Sequence, residues 1–350
     1  MFRDNTVFVV GAGASAEFGL PVGSQLLESI RRNCDFQLDQ WGSYTGGSRE
    51  IFGYYDKIYG RRNSGAISEF NLRLIKSWQI RDGIESAESI DEYIFRYSSD
   101  LVIAEVGKLQ IAHAISRAEH DSLLMPQNAV ELDTRKADHT WIWTFAKALM
   151  NGVRYENVDE IGENITIICF NYDRCIEHYL EHALRRGFHD LTAEDARAIV
   201  SKINIVHPYG WLGDLKQFPY GSVRQFPEMA ENIITWSESI RDPEIVTRMR
   251  EAIREAEQIV FMGFGFAAQN MDLLNSQPEK TSYLEHQLDE PPSVYSTAFN
   301  MPKEVEGSLR AKITDLYMGQ WSLSASQSVH FQYGAKCKEF FDIHRLNLVK

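Results

Sequence analysis

The chain has 350 residues, 44% of them hydrophobic and 24% charged, which is enough to bury a sizeable core as one large domain or two ordinary ones. Its formal net charge of -13, from 36 Lys and Arg against 49 Asp and Glu, repels phosphate backbones and anionic membranes, so direct nucleic-acid binding is not expected. Four scattered cysteines without a CxxC pair argue against a disulfide scaffold or structural zinc, and no apolar run reaches the ~18–20 residues of a membrane helix; the expectation is a cytoplasmic chain off the membrane.

Val7 to Val10 is a short β-branched apolar run, the pattern of a strand buried on both faces of a parallel sheet. Gly11 to Ser15 reads as a turn. Ala16 to Arg32 follows with helical spacing, interrupted at Gly19-Leu20-Pro21. From about Gln37 to Val158 the spacing predicts a mainly helical insertion, with "ESIDEYIFRYSSDLVIAEVGKLQIAHAISRA" and "HTWIWTFAKALM" as its clearest helices. Its early part, "GSYTGGSREIFGYYDKIYGRRNSG", reads as loop. Strand signals return at Asn164–Phe170, Ile203–Gly210, Gln258–Phe266 and Ser293–Phe299, separated by helical stretches, and "CKEFFDIHRLNLV" reads as a closing helix. Strands alternating with helices imply parallel pairing. The predicted architecture is α/β: a Rossmann-like, doubly wound parallel sheet over 1–36 and 159–350, with the helical insertion at 37–158 after the first βα unit.

Glycine after a first strand lets a backbone approach a pyrophosphate, and a helix start beyond it offers amide donors. The loop "GAGASAEFG" therefore suits a dinucleotide or another phosphate ligand. It departs from GxGxxG, because Ala16 stands where the third glycine belongs, and it lacks the Gly-Lys-Ser/Thr of a P-loop. A tight turn with Ser15 as a helix cap accounts for the same residues without any ligand.

Four stretches in order, "GAGASAEFGLP", "CFNYD", "VHPYG" and "MGFGF", together resemble the sirtuin-like family, and within it the divergent NAD-consuming branch found in bacterial anti-phage defence. The resemblance covers the glycine loop and most of the chain from Asn164 to about Leu274. It implies that Gly11, Ala12, Gly13, Ala14, Ser15, Gly19 and Pro21 surround the NAD pyrophosphate and adjoining ribose. Asn171 and Asp173 take the family's Asn-x-Asp positions facing the nicotinamide riboside, His207 that of the catalytic histidine, and Gly263-Phe264-Gly265 that of a later turn near the adenosine half. Val22-Gly23-Ser24 replaces the deacylases' Asp-Phe-Arg, and the two zinc CxxC pairs are missing. The implied activity is therefore NAD+ hydrolysis without zinc, with protein deacylation a third reading that the missing zinc ribbon disfavours. Implied partners are further copies of the chain and a HerA-like ATPase or another defence protein.

Cleaving nicotinamide from ribose passes through a sugar cation, and the neutral leaving ring needs no acid. Asn171 can orient water or a ribose hydroxyl, Asp173 can bind the carboxamide or favour the developing cation, and His207 can take a proton from water or a ribose hydroxyl near neutral pH. All three follow predicted strands, where open α/β sheets place their ligands. Asn-Tyr-Asp is also a common turn and helix cap, and a histidine before proline is commonly structural. A sensor of NAD or ADP-ribose that does no chemistry stays open as an alternative.

"HYLEH" matches the HxxEH pattern of inverted zinc peptidases. Yet Ile176, Tyr179, Leu180, Ala183 and Leu184 form the apolar stripe of its helix, which predicts a solvated face for His178, Glu181 and His182. Ser89 with Glu92 reads as a capping box opening either a lid or a packing helix. Trp141 and Trp143 read as core or oligomer contact.

Overall fold

A computed structural model describes residues 1–41, 43–60, 68–126, 131–239, 242–276, 291–318 and 323–350. The chain forms two compact units. The first comprises Met1–Gly19, Ser122–Pro208 and Ile240–Lys350; the second comprises Leu20–Asp121 and Tyr209–Ser239.

The first unit is built on a six-stranded parallel sheet. Its strands are β1 (Thr6–Val10), β2 (Ile165–Cys169), β3 (Asn204–Val206), β4 (Gln258–Met262), β5 (Ser293–Ala298) and β6 (Val329–Tyr333), in the order β3-β2-β1-β4-β5-β6. That is the doubly wound Rossmann order, reversing between β1 and β4. Every residue of β1 is buried, as the unbroken apolar run demands of a strand covered on both faces. Val10 pairs with Cys169 on one side and Met262 on the other, and Val206 pairs with Ile168. The loops after β1, β2, β3 and β4 therefore leave the sheet at nearly one level.

Helices cover this sheet: α1 (Ala12–Ser15), α2 (Trp141–Met150), α3 (Cys175–Gly187), α4 (Ala193–Lys202), α5 (Pro243–Glu255), α6 (Ala268–Leu274), α7 (Glu306–Thr314), α8 (Leu323–Gln327) and α9 (Cys337–Leu348). Helix α2 packs between α3 and α9. Phe8 of β1, Trp141 and Phe145 of α2, and Phe341 of α9 form one buried aromatic cluster, with ring centroids 5.2 Å apart for Phe8 and Phe145. Trp141 is thus core, and its indole N–H donates to the Ala14 carbonyl at 2.9 Å. Trp143 is half-buried under the Lys147 ammonium. Glu17 ties the first loop to both neighbouring helices, accepting from the backbone N–H of Trp141 and of Lys338 at 2.8 Å each.

Several local expectations change. The first helix begins at Ala12, not Ala16, and lasts four residues before a 3-10 turn, Ala16–Phe18, ended by Gly19 at φ 91°. So short a helix has little dipole to offer an anion, since aligned peptide units must add up to make one. Strand β6 was not anticipated, because "VHFQY" is a half-exposed edge strand without a continuous apolar run.

The second unit is mainly helical. Helix Leu101–Asp121 is buried on most sides and packs against Gly23–Asn33, Glu69–Gly83 and Phe226–Ala230. A small antiparallel pair, Gln37–Leu38 with Tyr44–Gly46, precedes helix Arg49–Tyr59, so the stretch read as loop holds an eleven-residue helix. Ser48 caps it by accepting from the Ile51 N–H, and Gly60 ends it. Gly42 and Arg61–Gly65 of that stretch lie outside the described residues. Ser89 accepts from the Glu92 N–H, but the Glu92 carboxylate bonds the N–H of Glu88, so only half of the anticipated capping box forms. Of the expected insertion 37–158, residues 122–158 lie in the sheet unit, while 20–36 and 209–239 lie in the helical one. Among the described residues no helix is long and apolar enough to cross a membrane.

Candidate functional site

The sheet order reverses between β1 and β4, and the loops leaving their carboxyl ends lock together there. The Gly13 N–H donates to the Gly263 carbonyl at 2.9 Å, the Gly11 N–H to Met262 O at 2.9 Å, and the Ala14 N–H to Gly11 O at 2.9 Å. A Cβ on Gly11 would lie 2.6 Å from Gly263 O, and one on Gly13 would lie 2.8 Å from Gly263 Cα. Glycine is required at these positions by backbone packed on backbone. Three of the loop amides expected to face a pyrophosphate, those of Gly11, Gly13 and Ala14, are thus bonded within the protein.

Gly265 differs. It is exposed, has no strained φ, and a Cβ there would meet nothing within 4 Å. The protein itself makes no steric demand for glycine at this position, which leaves room for a ligand against the backbone. Ala12, Gly13 and Gly263 are partly exposed beside it in the chain's loops, while Phe264 is buried against Phe170, Phe261 and Phe266. Gly19 is exposed with its left-handed φ, a helix terminator by conformation. Pro21 belongs to the helical unit.

Asn171, just beyond β2, is buried and donates through Nδ2 to Gly11 O at 3.1 Å and to Ser15 Oγ at 2.9 Å. A carbonyl only accepts, so the amide nitrogen must face Gly11, and both its hydrogens are used. Ser15 is buried at the end of α1 as the partner of Asn171, and it caps no helix. Asp173 is buried and accepts from the Cys175 N–H at 3.1 Å, the bond of a turn that opens α3. Arg174, next to it, is fully buried.

His207 follows β3 directly. Its Nδ1 lies 3.2 Å from the Asn171 carbonyl and its Nε2 2.8 Å from Glu177 Oε1, an ion pair whose side chains are 8% and 9% exposed. Both partners accept, so with the carboxylate ionised both ring nitrogens carry hydrogen. Burial opposes that charge, but the Glu177 carboxylate and the adjacent Cys169 side chain outweigh it and hold the imidazole well above its ordinary range. Burial in turn pushes the Cys169 thiol up. Glu177 was not singled out from sequence. Its signal was faint: an acidic residue in the first turn of the helix opened by Asn-Tyr-Asp.

The face of α3 expected in solvent is covered instead, because residues 122–126 and 131–134 lie against it. His178 is buried with Nε2 3.0 Å from Leu124 O, His182 Nδ1 accepts from the Leu132 N–H at 3.4 Å, and Glu181 pairs with Arg197 at 3.4 Å. Among the described residues no group of three His, Cys, Asp or Glu could hold a metal ion. Burial pushes His178 down to about 3. A depressed histidine stabilises the fold above its ordinary value of 6.5 and loses that contribution as pH falls. Stability at pH 4 is therefore expected to drop relative to pH 7, with a share from His178 on the order of 3 kcal/mol. Urea unfolding at the two pH values measures this, and His178→Gln should flatten the difference.

No family model matches this chain, and no curated protein matches it.

Proposed function

We propose that the sheet unit is an NAD+ glycohydrolase, giving nicotinamide and ADP-ribose. One observation carries this reading: the Asn171 amide, at the end of β2, bonds directly to the glycine loop after β1, while the Asn171 carbonyl holds the imidazole that follows β3. Three motifs separate in sequence thus form one bonded cluster at the carboxyl ends of parallel strands, where such sheets bind nucleotides. The open flank of Gly265 supports a place for the dinucleotide, and the resemblance to NAD-consuming sirtuin-like proteins supports its identity.

In the reaction the C1′–N bond breaks with its electrons passing to the pyridinium, water bonds to C1′, and one water proton leaves. Asn171 contributes through Oδ1, since Nδ2 is committed to the loop. Asp173 contributes negative charge beside the developing cation, and His207 accepts the proton once its Nδ1 has given up its own. The same resemblance extends the proposal to a cytoplasmic anti-phage effector that depletes NAD, assembles with copies of itself, and is controlled by a HerA-like ATPase or another defence protein.

A non-catalytic NAD or ADP-ribose sensor is favoured by one observation: both His207 nitrogens are tied in the structure as it stands. Incubation of the purified chain with NAD alone separates the two. Hydrolysis releases free nicotinamide, whereas a sensor binds NAD and returns it intact. Release only in the presence of an acyl-lysine peptide would overturn both.

A further inference from the structure

We propose that Glu177 is the positioning residue for His207: it holds the ring through Nε2 and leaves Nδ1 as the nitrogen that receives the proton of water. This rests on the NAD-hydrolase reading of the site.

The Glu177 and Asn171 contacts of His207 are unequal. The Nε2 bond to the Glu177 carboxylate is short, 2.8 Å, and charge-assisted, whereas the Nδ1 contact runs 3.2 Å to a neutral backbone carbonyl. When the imidazolium loses one proton, the stronger bond persists, so the proton comes from Nδ1. The acceptor freed there is Asn171 O, in the residue whose side chain grips the glycine loop. Glu177 Oε2 is buried and has no hydrogen-bond partner among the described residues. A buried acceptor left empty costs free energy, and a carboxylate serving packing alone is usually saturated. Among the described residues, His207 is the one side chain that Glu177 bonds.

A carboxylate bonded to one ring nitrogen fixes the orientation and tautomer of the imidazole and strengthens the other nitrogen as a base. In the hydrolytic step an O–H bond of water breaks toward Nδ1, the water oxygen bonds C1′, and the nicotinamide nitrogen departs with the C1′–N electron pair. The proton then leaves Nδ1 to solvent. The groups acting on the ring are Glu177 from α3 and Cys169 from β2, and Asp173 in the turn between them acts on Cys169.

The test follows the imidazole signals by ¹⁵N NMR against pH, with His207→Gln assigning the resonance, and measures nicotinamide release from NAD over the same range. In the wild type, His207 is expected to titrate above its ordinary range and kcat/KM to rise along the same titration. In Glu177→Gln both should move down by a pH unit or more, with kcat reduced tenfold or more. Glu177→Asp, which keeps the charge, should lie between the two and carries the same test if the glutamine variant does not fold. A packing role alone would lower the unfolding temperature of E177Q and leave the titration in place, and that result overturns the assignment. Wild-type protein that releases no nicotinamide overturns the hydrolase reading and this role with it. Release with an unmoved E177Q profile overturns the role of Glu177 alone.

Discussion

Asn171→Ala is expected to lower nicotinamide release by about 10²–10³-fold, because it removes the side chain that ties the turn after β2 to the glycine loop. Two effects combine in that figure. The first is direct: Oδ1 no longer orients water or a ribose hydroxyl. The second is structural, since Gly11 O and Ser15 Oγ lose their donor inside the protein, which costs about 1–3 kcal/mol of stability. The two separate experimentally. Ser15→Ala removes one partner of the amide and keeps Oδ1, so it should show part of the stability loss and little of the rate loss. Denaturant unfolding beside steady-state kinetics on both variants checks this. If N171A and S15A lose rate in proportion to stability, Asn171 acts as a brace and nothing more.

Gly263→Ala should be the most damaging small substitution in the sheet unit. Its Cβ would stand 2.1 Å from the Ala14 nitrogen and 2.4 Å from the Gly13 carbonyl carbon, and both are backbone. Its φ of 57° adds strain for any residue with a side chain. Neither loop can yield without breaking the Gly13 N–H bond to Gly263 O, so a loss of about 3–5 kcal/mol is expected, lowering the unfolding temperature by roughly 10 °C. Gly265→Ala, two residues on, is the control. Its Cβ meets nothing, so stability should stay within about 0.5 kcal/mol while NAD binding weakens if the dinucleotide lies against that turn. Differential scanning calorimetry and NAD titration of the pair measure both. A stable G263A would mean that the two turns are not locked together as described.

How far the site was legible depended on distance along the chain. Val7–Val10, "NITIICF" and "QIVFMGFGF" announce themselves because a strand covered on both faces must be apolar throughout, a local property. Helix Arg49–Tyr59 was missed although Ser48 and Gly60 bracket it, because the glycines and tyrosines around it resemble a loop. The face of α3 was misjudged for a different reason. Helical periodicity shows which side is most apolar, but it does not reveal that Leu124 bonds His178 and Leu132 bonds His182 on the other side.

The sequence by itself determined five of the six strands, the parallel α/β class, and the residues that follow the first four strands, because burial and turn chemistry act over a few neighbouring positions. Only the tertiary structure decided what those residues do to one another. It spent the Gly13 amide on Gly263, the Asn171 amide on the first loop, and the His207 ring on Glu177, 30 positions earlier in the chain. Hydrogen bonds and charge pairs depend on distances of about 3 Å that strand order and register create, and no local pattern encodes them.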